Sequence, residues 1–223
     1  MISEIIPPEI KNDQFYHVLG MIAEKSHLQT FLEIGSSSGG GSTEAFVMAI
    51  RQRSDRDLVR LFCMEVSRER FAKLAETYAN DSFVKCYNVS SVSLSEFPSR
   101  EEVIAFYNST QTNLNYYPLS TVLEWLQADI DYIRSSGVDL NGINRIKSEN
   151  GISVFDMVLI DGSEFTGERE FYSVAGARVI ALDDINAHKC FNPHHMLLNN
   201  ASYRLLFENR NLRNGFSIFE RKF

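Results

Sequence analysis

Short apolar runs alternate with amphipathic segments over the first part of the chain. Residues 29–35, 58–65 and 83–89 have the composition of buried strands, whereas residues 8–26 and 67–80 place apolar side chains at helical spacing. Strands that alternate with helices favour a parallel sheet, because each parallel connection needs a crossover long enough for a helix. The sequence therefore predicts an α/β fold, a three-layer sandwich with helices on both faces of one sheet.

The alternation stops after the third apolar run and resumes at residues 154–160. We interpret residues 90–153 as a helical insertion, because Ser99 and Glu102 form a capping box and residues 121–134 place apolar side chains on one helical face. The insertion should fold as two or three helices against the sheet. Further strands are predicted at residues 177–182, 203–207 and 216–220.

The composition describes an acidic globular chain, and we expect a single domain over residues 1–223. The sequence has 22 Lys and Arg against 29 Asp and Glu, a net charge of −7, which makes nucleic acid and anionic membranes poor partners. No apolar run approaches the roughly 20 residues that span a bilayer, and no export signal is apparent, so we expect a cytoplasmic protein. It could form a homo-oligomer. Cys63, Cys86 and Cys190 have no CxxC spacing and are predicted to be reduced thiols of the core.

A glycine-serine loop follows the first predicted strand, in the sequence FLEIGSSSGGGST over residues 31–43. Glycine allows a ligand to approach the backbone, and the following helix begins with unpaired N–H groups. Ser37 breaks the GxGxxG pattern of dinucleotide-binding loops, and no Gly-Lys-Ser/Thr follows as in a P-loop. Glu33 ends the strand and is placed to contact a cationic or hydroxyl-bearing ligand. We predict a cofactor loop here; the alternative is a glycine-rich turn with surface acids.

Glu65 ends the next strand, and carboxyl ends of adjacent parallel strands form one crevice. Glu33, the loop and Glu65 together resemble the class I S-adenosylmethionine-dependent methyltransferases, over residues 29–89 and 154–221. The resemblance implies a Rossmann-like, seven-stranded, mostly parallel sheet with its last strand antiparallel, the methionine end of the cofactor near Glu33, its ribose on Glu65 and its adenine near Asn88. The cofactor-binding residues it suggests are Glu33, Gly35, Ser36, Ser37, Gly39, Ser42, Thr43, Glu65, Asn88 and Asp161.

Three aspartates close the next two strands: Asp161 on one, and Asp183 with Asp184 on the other. Carboxylates that converge at a sheet edge suit Mg²⁺ or Mn²⁺, although strand-end acids also cap helices. The pattern is similar to the divalent-metal-dependent O-methyltransferases of the catechol, caffeoyl-coenzyme A and macrolide-sugar kinds. That resemblance implies that Asp161, Asp183 and Asp184 hold a metal ion, which orients a substrate hydroxyl and lowers its pKa.

The sequence leaves two candidates for the general base, Glu164 and His188. Catechol-type enzymes have a basic residue three positions after the first metal aspartate, and this chain has Glu164 there. Glu164 could accept a proton if burial raised its pKa, and His188 is the second candidate. The alternatives are a first-turn helix acid for Glu164 and a surface loop position for His188.

Two adjacent histidines and the aromatic residues of the insertion each allow a structural and a functional interpretation. His194 and His195 lack a third ligand at a usable spacing and are predicted to lie on the surface or in a lid. The aromatic residues of the insertion could wall a substrate pocket or form a small core of their own, the core being the interpretation for Trp125 and Phe106. These aromatic residues are Phe106, Tyr107, Tyr116, Tyr117 and Trp125.

The function that these features predict is methylation of a small-molecule hydroxyl, on a sugar or a natural-product intermediate, with divalent metal assistance. The insertion would serve as a substrate lid that selects the acceptor. The alternatives are a metal-independent N- or O-methyltransferase and a non-catalytic S-adenosylmethionine-binding subunit that uses the insertion as a partner surface.

Overall fold

The computed structural model describes residues 4–5 and 7–222. In that part of the chain, seven strands form one sheet in the order β3-β2-β1-β4-β5-β7-β6. Strands β1 to β5 are parallel, β7 runs antiparallel to both of its neighbours, and the predicted fold class is confirmed. The strands are β1 Thr30–Ile34, β2 Arg60–Glu65, β3 Val84–Asn88, β4 Met157–Ile160, β5 Val179–Asp183, β6 Tyr203–Asn209 and β7 Phe216–Arg221.

Helices cover both faces of the sheet. One apolar core lies between the sheet and the helices α1 and α2, where Phe15, Phe31 and Phe46 are fully buried. The opposite core includes Phe62 and Phe155. The helices are α1 Gln14–Ala23, α2 Ser42–Gln52, α3 Arg68–Thr77, α4 Arg100–Ser109, α5 Leu119–Ser136, α6 Gly142–Asn150, α7 Gly167–Ser173 and α8 His188–Leu198.

The first helix is shorter than the predicted span of residues 8–26. It begins after Asp13, whose carboxylate accepts a hydrogen bond from the backbone N–H of Tyr16 at 2.8 Å. This side-chain cap satisfies one of the free N–H groups at the helix start, so the helix begins there and not directly after the two prolines. Residues 7–10 instead border the cavity described below.

The insertion contains three helices, α4, α5 and α6, as predicted in number. The capping box at the start of α4 is confirmed, since Ser99 and Glu102 exchange side-chain to backbone hydrogen bonds. Only α6 packs on the sheet, through Ile143 and Ile146. Helices α4 and α5 form a separate core around Val103, which corrects the expectation that the whole insertion lies against the sheet.

The sequence also predicts where the cysteines lie and whether any segment could cross a membrane. Cys63 is buried in the core as predicted, Cys190 is buried as well, and Cys86 is half-buried. Among the described residues, no helix combines the length and the apolar character needed to cross a membrane.

Candidate active site

A cavity of about 500 Å³ lies at the carboxyl ends of β1, β2, β4 and β5. Polar groups from these four strand ends face it, and α5 of the insertion forms its far wall. Ligands of open α/β sheets bind outside the carboxyl ends of the strands, so the cavity lies where the sheet topology favours a site.

The loop after β1 enters the cavity through a glycine that no other residue can replace without strain. Gly35 has φ +89°, and a Cβ atom at this position would overlap the backbone carbonyl of Asp161. The N–H groups of Gly35 and Ser36 both donate to the carbonyl of Met64, at 3.0 and 2.9 Å. The loop is thus held between β2 and β4, and Gly35, Ser36, Ser37 and Ser42 border the cavity.

Glu33 lies behind this loop and does not border the cavity. Its side chain is fully buried, and its Oε2 accepts hydrogen bonds from Ser36 at 2.7 Å and from Thr43 at 2.6 Å. Burial raises the pKa of the carboxyl, and its Oε1 has no partner among the described residues. The Glu33 side chain therefore stabilises the loop through these two hydrogen bonds, and it does not reach the cavity for the direct ligand contact expected of it.

Gly39 and Thr43 also lie away from the cavity wall. Gly39 packs against Tyr78, whose hydroxyl donates to the Gly39 carbonyl at 2.5 Å. These two residues shape the loop, while its exposed surface is made by serines and by Gly40 and Gly41.

Glu65 faces the cavity from the end of β2. Its Oε1 accepts a hydrogen bond from the N–H of Ser67 at 2.7 Å, and burial raises its pKa against the opposing effect of that bond and of Arg70. Asn88 does not border the cavity, because its amide donates to the carbonyls of Glu65 and Val66 at 2.8 and 3.0 Å. Asn88 therefore fixes the turn that presents Glu65.

The three aspartates converge as their strand-end positions predicted. Ligand atoms of Asp161, Asp183 and Asp184 lie within 4.8 Å of one another. Asp184 has φ +57°, a left-handed conformation that usually costs a non-glycine residue about 1–3 kcal/mol and that often occurs at functional sites.

Cations of the chain itself already hold these carboxylates. The Nζ of Lys189 lies 2.8 Å from Oδ1 of Asp161 and 2.7 Å from Oδ2 of Asp184. Nη1 of Arg213 lies 3.0 and 3.1 Å from the two oxygens of Asp183. Neither cation was identified from the sequence, because the turn before β7 and the first turn of α8 show no pattern that links them to these acids.

The cations of this cluster favour the charged forms of the aspartates, whereas burial and the neighbouring aspartates oppose them; burial, Asp161 and Asp184 raise the pKa of Asp183 well above its usual value. Burial lowers the pKa of Lys189, but the carboxylates around it outweigh burial and hold that pKa well above its usual value. Burial alone would raise the pKa of Asp184, yet Lys189 keeps it below the ordinary range. Burial raises the pKa of Asp161 to about 6, with Lys189 acting in the opposite direction. Near neutral pH, Lys189 is an ammonium between two carboxylates.

This arrangement does not fit a divalent ion. Carboxylate oxygens are suitable ligands for Mg²⁺ and Mn²⁺, but Oδ1 of Asp161 and Oδ2 of Asp184 are both bonded to the ammonium of Lys189. The predicted metal site, Asp161 with Asp183 and Asp184, therefore contains two ion-pair systems.

Of the two candidate bases, Glu164 borders the cavity and His188 does not. Burial raises the pKa of Glu164 to about 7, with Asp184 adding to this effect and Lys189 opposing it. His188 is half-buried between Phe106 and Phe165, its ring centroid 4.5 and 5.7 Å from theirs, so it is no surface loop residue. Burial lowers its pKa, which leaves a neutral ring that packs behind the site.

The insertion contributes one face of α5 to the cavity. Trp125, Asp129 and Ile133 follow one another at intervals of four residues, a spacing that places them on one side of a helix. Trp125 is 38% exposed and belongs to the cavity wall, which corrects its assignment to a core. Phe106 is half-buried against His188 and Phe191.

His194 is fully buried, contrary to the surface or lid position expected for it. Its Nδ1 lies 2.9 Å from Oγ of Ser217, and its Nε2 lies 2.7 Å from Nη2 of Arg210. Burial lowers its pKa to about 4, and the nearby guanidinium adds to the effect. This histidine joins α8 to the β6–β7 hairpin as a neutral packing residue.

No family model and no curated protein matches the sequence. Solved structures do match it. A methyltransferase from Geobacter sulfurreducens has a TM-score of 0.55 at 11% identity, over 96% of this chain and 80% of that one. An O-methyltransferase from Bacillus cereus in complex with SAH has a TM-score of 0.53 at 13% identity, over 97% and 84%. The SAH-bound Podospora anserina methyltransferase PaMTH1 has a TM-score of 0.51 at 11% identity, over 96% and 81%.

Identities this low establish the fold and nothing finer. The chain has the fold of these methyltransferases, as the resemblance in its sequence implied. The likeness extends along nearly the whole chain and thus includes the insertion, which the sequence motifs did not cover.

Proposed function

We propose that the protein transfers the methyl group of S-adenosylmethionine to a hydroxyl of a small molecule, such as a sugar or a natural-product intermediate. The observation that carries this proposal is that one cavity is bordered by the glycine-serine loop, by Glu65 and by Glu164. A site for a hydroxyl-bearing cofactor and a group able to accept a proton thus share one space.

The cofactor supplies an activated methyl group on its sulfonium. In our proposal Glu65 accepts hydrogen bonds from the ribose hydroxyls, a role that suits a carboxylate at the end of the second strand. The start of α2, with Gly40, Gly41 and Ser42 on the cavity wall, binds the carboxylate of the methionine end, because N–H groups and the helix dipole favour an anion there.

Glu164 is the proposed general base. In the transfer, a C–O bond forms to the methyl carbon, the C–S bond breaks with its electron pair left on sulfur, and the hydroxyl proton goes to the Glu164 carboxylate. A base works best with a pKa near the working pH, and burial raises the pKa of Glu164 to about 7.

The acceptor would lie against the insertion. Trp125 offers an aromatic face, and Asp129 offers a carboxylate that can accept hydrogen bonds from further hydroxyls. Because the carboxylates of Asp161 and Asp184 are bonded to Lys189, we favour the metal-independent form of the reaction over the metal-assisted form.

Isothermal titration calorimetry with S-adenosylmethionine and S-adenosylhomocysteine tests the cofactor site. Loss of a charge-assisted contact costs about 1.5–3 kcal/mol, so Glu65→Gln should weaken binding at least about tenfold. Glu69→Gln is the matched control, because Glu69 is exposed in the next helix and should leave the affinity unchanged. Absence of binding to the wild type, or equal affinity of Glu65→Gln, would overturn the proposal.

A further inference from the structure

We propose that the ammonium group of Lys189 takes the place of a metal ion at the acidic strand ends, so that this protein needs no divalent cation. The claim about the reaction rests on the proposed methyl transfer, whereas the claim about the site rests on ion-pair geometry alone.

Lys189 is held by the packing of its helix. Its side chain is 8% exposed, and its backbone N–H donates to Oε1 of Glu164 at 3.2 Å. Gly167, the first residue of α7, lies so close that a Cβ atom there would overlap the Lys189 carbonyl. Contact between α7 and α8 thus fixes the backbone from which the ammonium reaches the aspartates.

The ammonium and a metal ion would compete for the same oxygens. Mg²⁺ binds oxygen ligands at about 2.0–2.1 Å, and the oxygens that converge on Nζ, Oδ1 of Asp161 and Oδ2 of Asp184, are 2.8 and 2.7 Å from it. An ion bound between these two atoms would lie in the space that Nζ occupies. Its charge would also meet two positive charges, since Arg213 holds the third carboxylate, Asp183.

The position of Lys189 also gives it a task in the reaction. An ammonium has three N–H donors, and in the described part of the chain Nζ donates to Asp161 and Asp184. Lys189 borders the cavity beside Glu164. Its remaining donor can bind the acceptor oxygen and stabilise the negative charge that develops when the proton moves to Glu164.

Titration of the protein with Mn²⁺, followed by the electron paramagnetic resonance signal of the free ion, tests this assignment. The wild type should bind Mn²⁺ only weakly. Lys189→Met should bind one Mn²⁺ at least about tenfold more tightly, or about 1.4 kcal/mol, and adding Asp161→Asn to it should abolish that gain. Lys147→Met is the control, because Lys147 is a half-buried lysine whose Nζ donates to the Ser173 carbonyl, outside the acidic cluster.

Tight stoichiometric binding of Mn²⁺ to the wild type that Asp161→Asn removes would overturn the inference, as would a folded Lys189→Met that gains no affinity. If Lys189→Met does not fold, the wild-type titration decides alone: weak binding supports the inference, and tight binding that Asp161→Asn removes refutes it. Failure of the proposed function has a separate signature, the absence of S-adenosylmethionine binding in calorimetry without any metal.

Discussion

Oδ2 of Asp129 accepts a hydrogen bond of 2.5 Å from Oγ of Ser163. Asp129 belongs to α5 of the insertion, and Ser163 belongs to the turn after β4, two residues beyond Asp161. Both residues border the cavity. The bond therefore attaches the insertion to the segment that carries the candidate base, and the cavity has a fixed far wall.

We expect Asp129→Asn to impair use of the acceptor and to spare the cofactor. The amide keeps the size of the side chain but removes a charged acceptor of hydrogen bonds, so the acceptor KM should rise at least about tenfold. Binding of S-adenosylhomocysteine should stay within about threefold, less than 1 kcal/mol. Asp131→Asn, on the exposed face of the same helix, is the control. A large loss of S-adenosylhomocysteine affinity in Asp129→Asn would assign α5 to the cofactor instead.

Tyr117 acts through Trp125 in our interpretation, and Tyr116 precedes it on the exposed side of the insertion. Tyr116 and Tyr117 are 80% and 49% exposed, and the ring centroid of Tyr117 lies 4.9 Å from that of Trp125. Replacing both tyrosines by alanine should raise the acceptor KM, and Trp125→Ala should raise it further, because Trp125 itself borders the cavity. Steady-state kinetics measures the acceptor KM of each variant. Calorimetry with S-adenosylhomocysteine is the control, because it shows whether the cofactor affinity has changed as well. Unchanged acceptor kinetics in all variants would place the acceptor elsewhere.

The close approach of Gly35 to Asp161 should be visible in stability. Gly35→Ala adds a Cβ atom at positive φ against a backbone carbonyl, whereas Gly151→Ala adds one at φ +62° with no atom within 4 Å. The second substitution should cost about 1–2 kcal/mol for the left-handed conformation alone. The first should cost at least about 2 kcal/mol more, because a rigid backbone contact must move. Urea denaturation measures both free energies of unfolding, and equal losses would contradict the predicted overlap.

The raised pKa of Glu164 predicts a pH dependence of stability. The folded chain keeps this proton up to a pKa of about 7, and the unfolded chain loses it near 4.5. Between these values the folded state binds more protons, so this carboxyl makes the free energy of unfolding fall as pH rises, with no further loss above about pH 7. As the pH rises from about 5 to about 8, the Tm of Glu164→Gln should therefore fall less than the Tm of the wild type.

Exposed Glu101 supplies the matched control for that experiment, and Glu101→Gln should retain the wild-type dependence of Tm on pH. The same pair of variants tests catalysis. If Glu164 is the base, kcat of the wild type rises with pH through about 7 and that rise is absent in Glu164→Gln. An identical profile in the variant would remove Glu164 from the proton transfer.

The sequence predicted what depends on periodicity and on strand ends. Alternating apolar runs indicated the sheet, and the convergence of Asp161 with Asp183 follows from parallel strands that end at one edge. It could not predict which cations meet these acids. Lys189 is 28 residues from Asp161 and Arg213 is 30 residues from Asp183, so both pairings depend on how α8 and the last hairpin pack.

The same limit explains why the predicted positions of Trp125 and His194 were wrong. The helical spacing of Trp125 fits either face of α5, and only the placement of the helix decides which face meets the cavity. The two adjacent histidines resemble a polar surface in sequence, but the β6–β7 hairpin supplies Ser217 and Arg210 as partners for the buried His194. Polar residues that find partners far along the chain are not distinguishable from exposed ones by local pattern.

Arg213 also bonds to Asp13, the cap of α1, through Nε at 3.0 Å. Arg213 thus connects the start of α1, 200 positions earlier in the chain, to Asp183 at the end of β5. During synthesis Asp183 and Lys189 are made before this guanidinium, so a nascent chain has an acidic strand end with one of its two counter-charges missing. Contacts of such long range form late in folding. A chain caught before the hairpin docks would leave Asp183 without its guanidinium partner while Lys189 still holds Asp161 and Asp184, so Asp183 is the carboxylate at which a cation from the solvent could then bind.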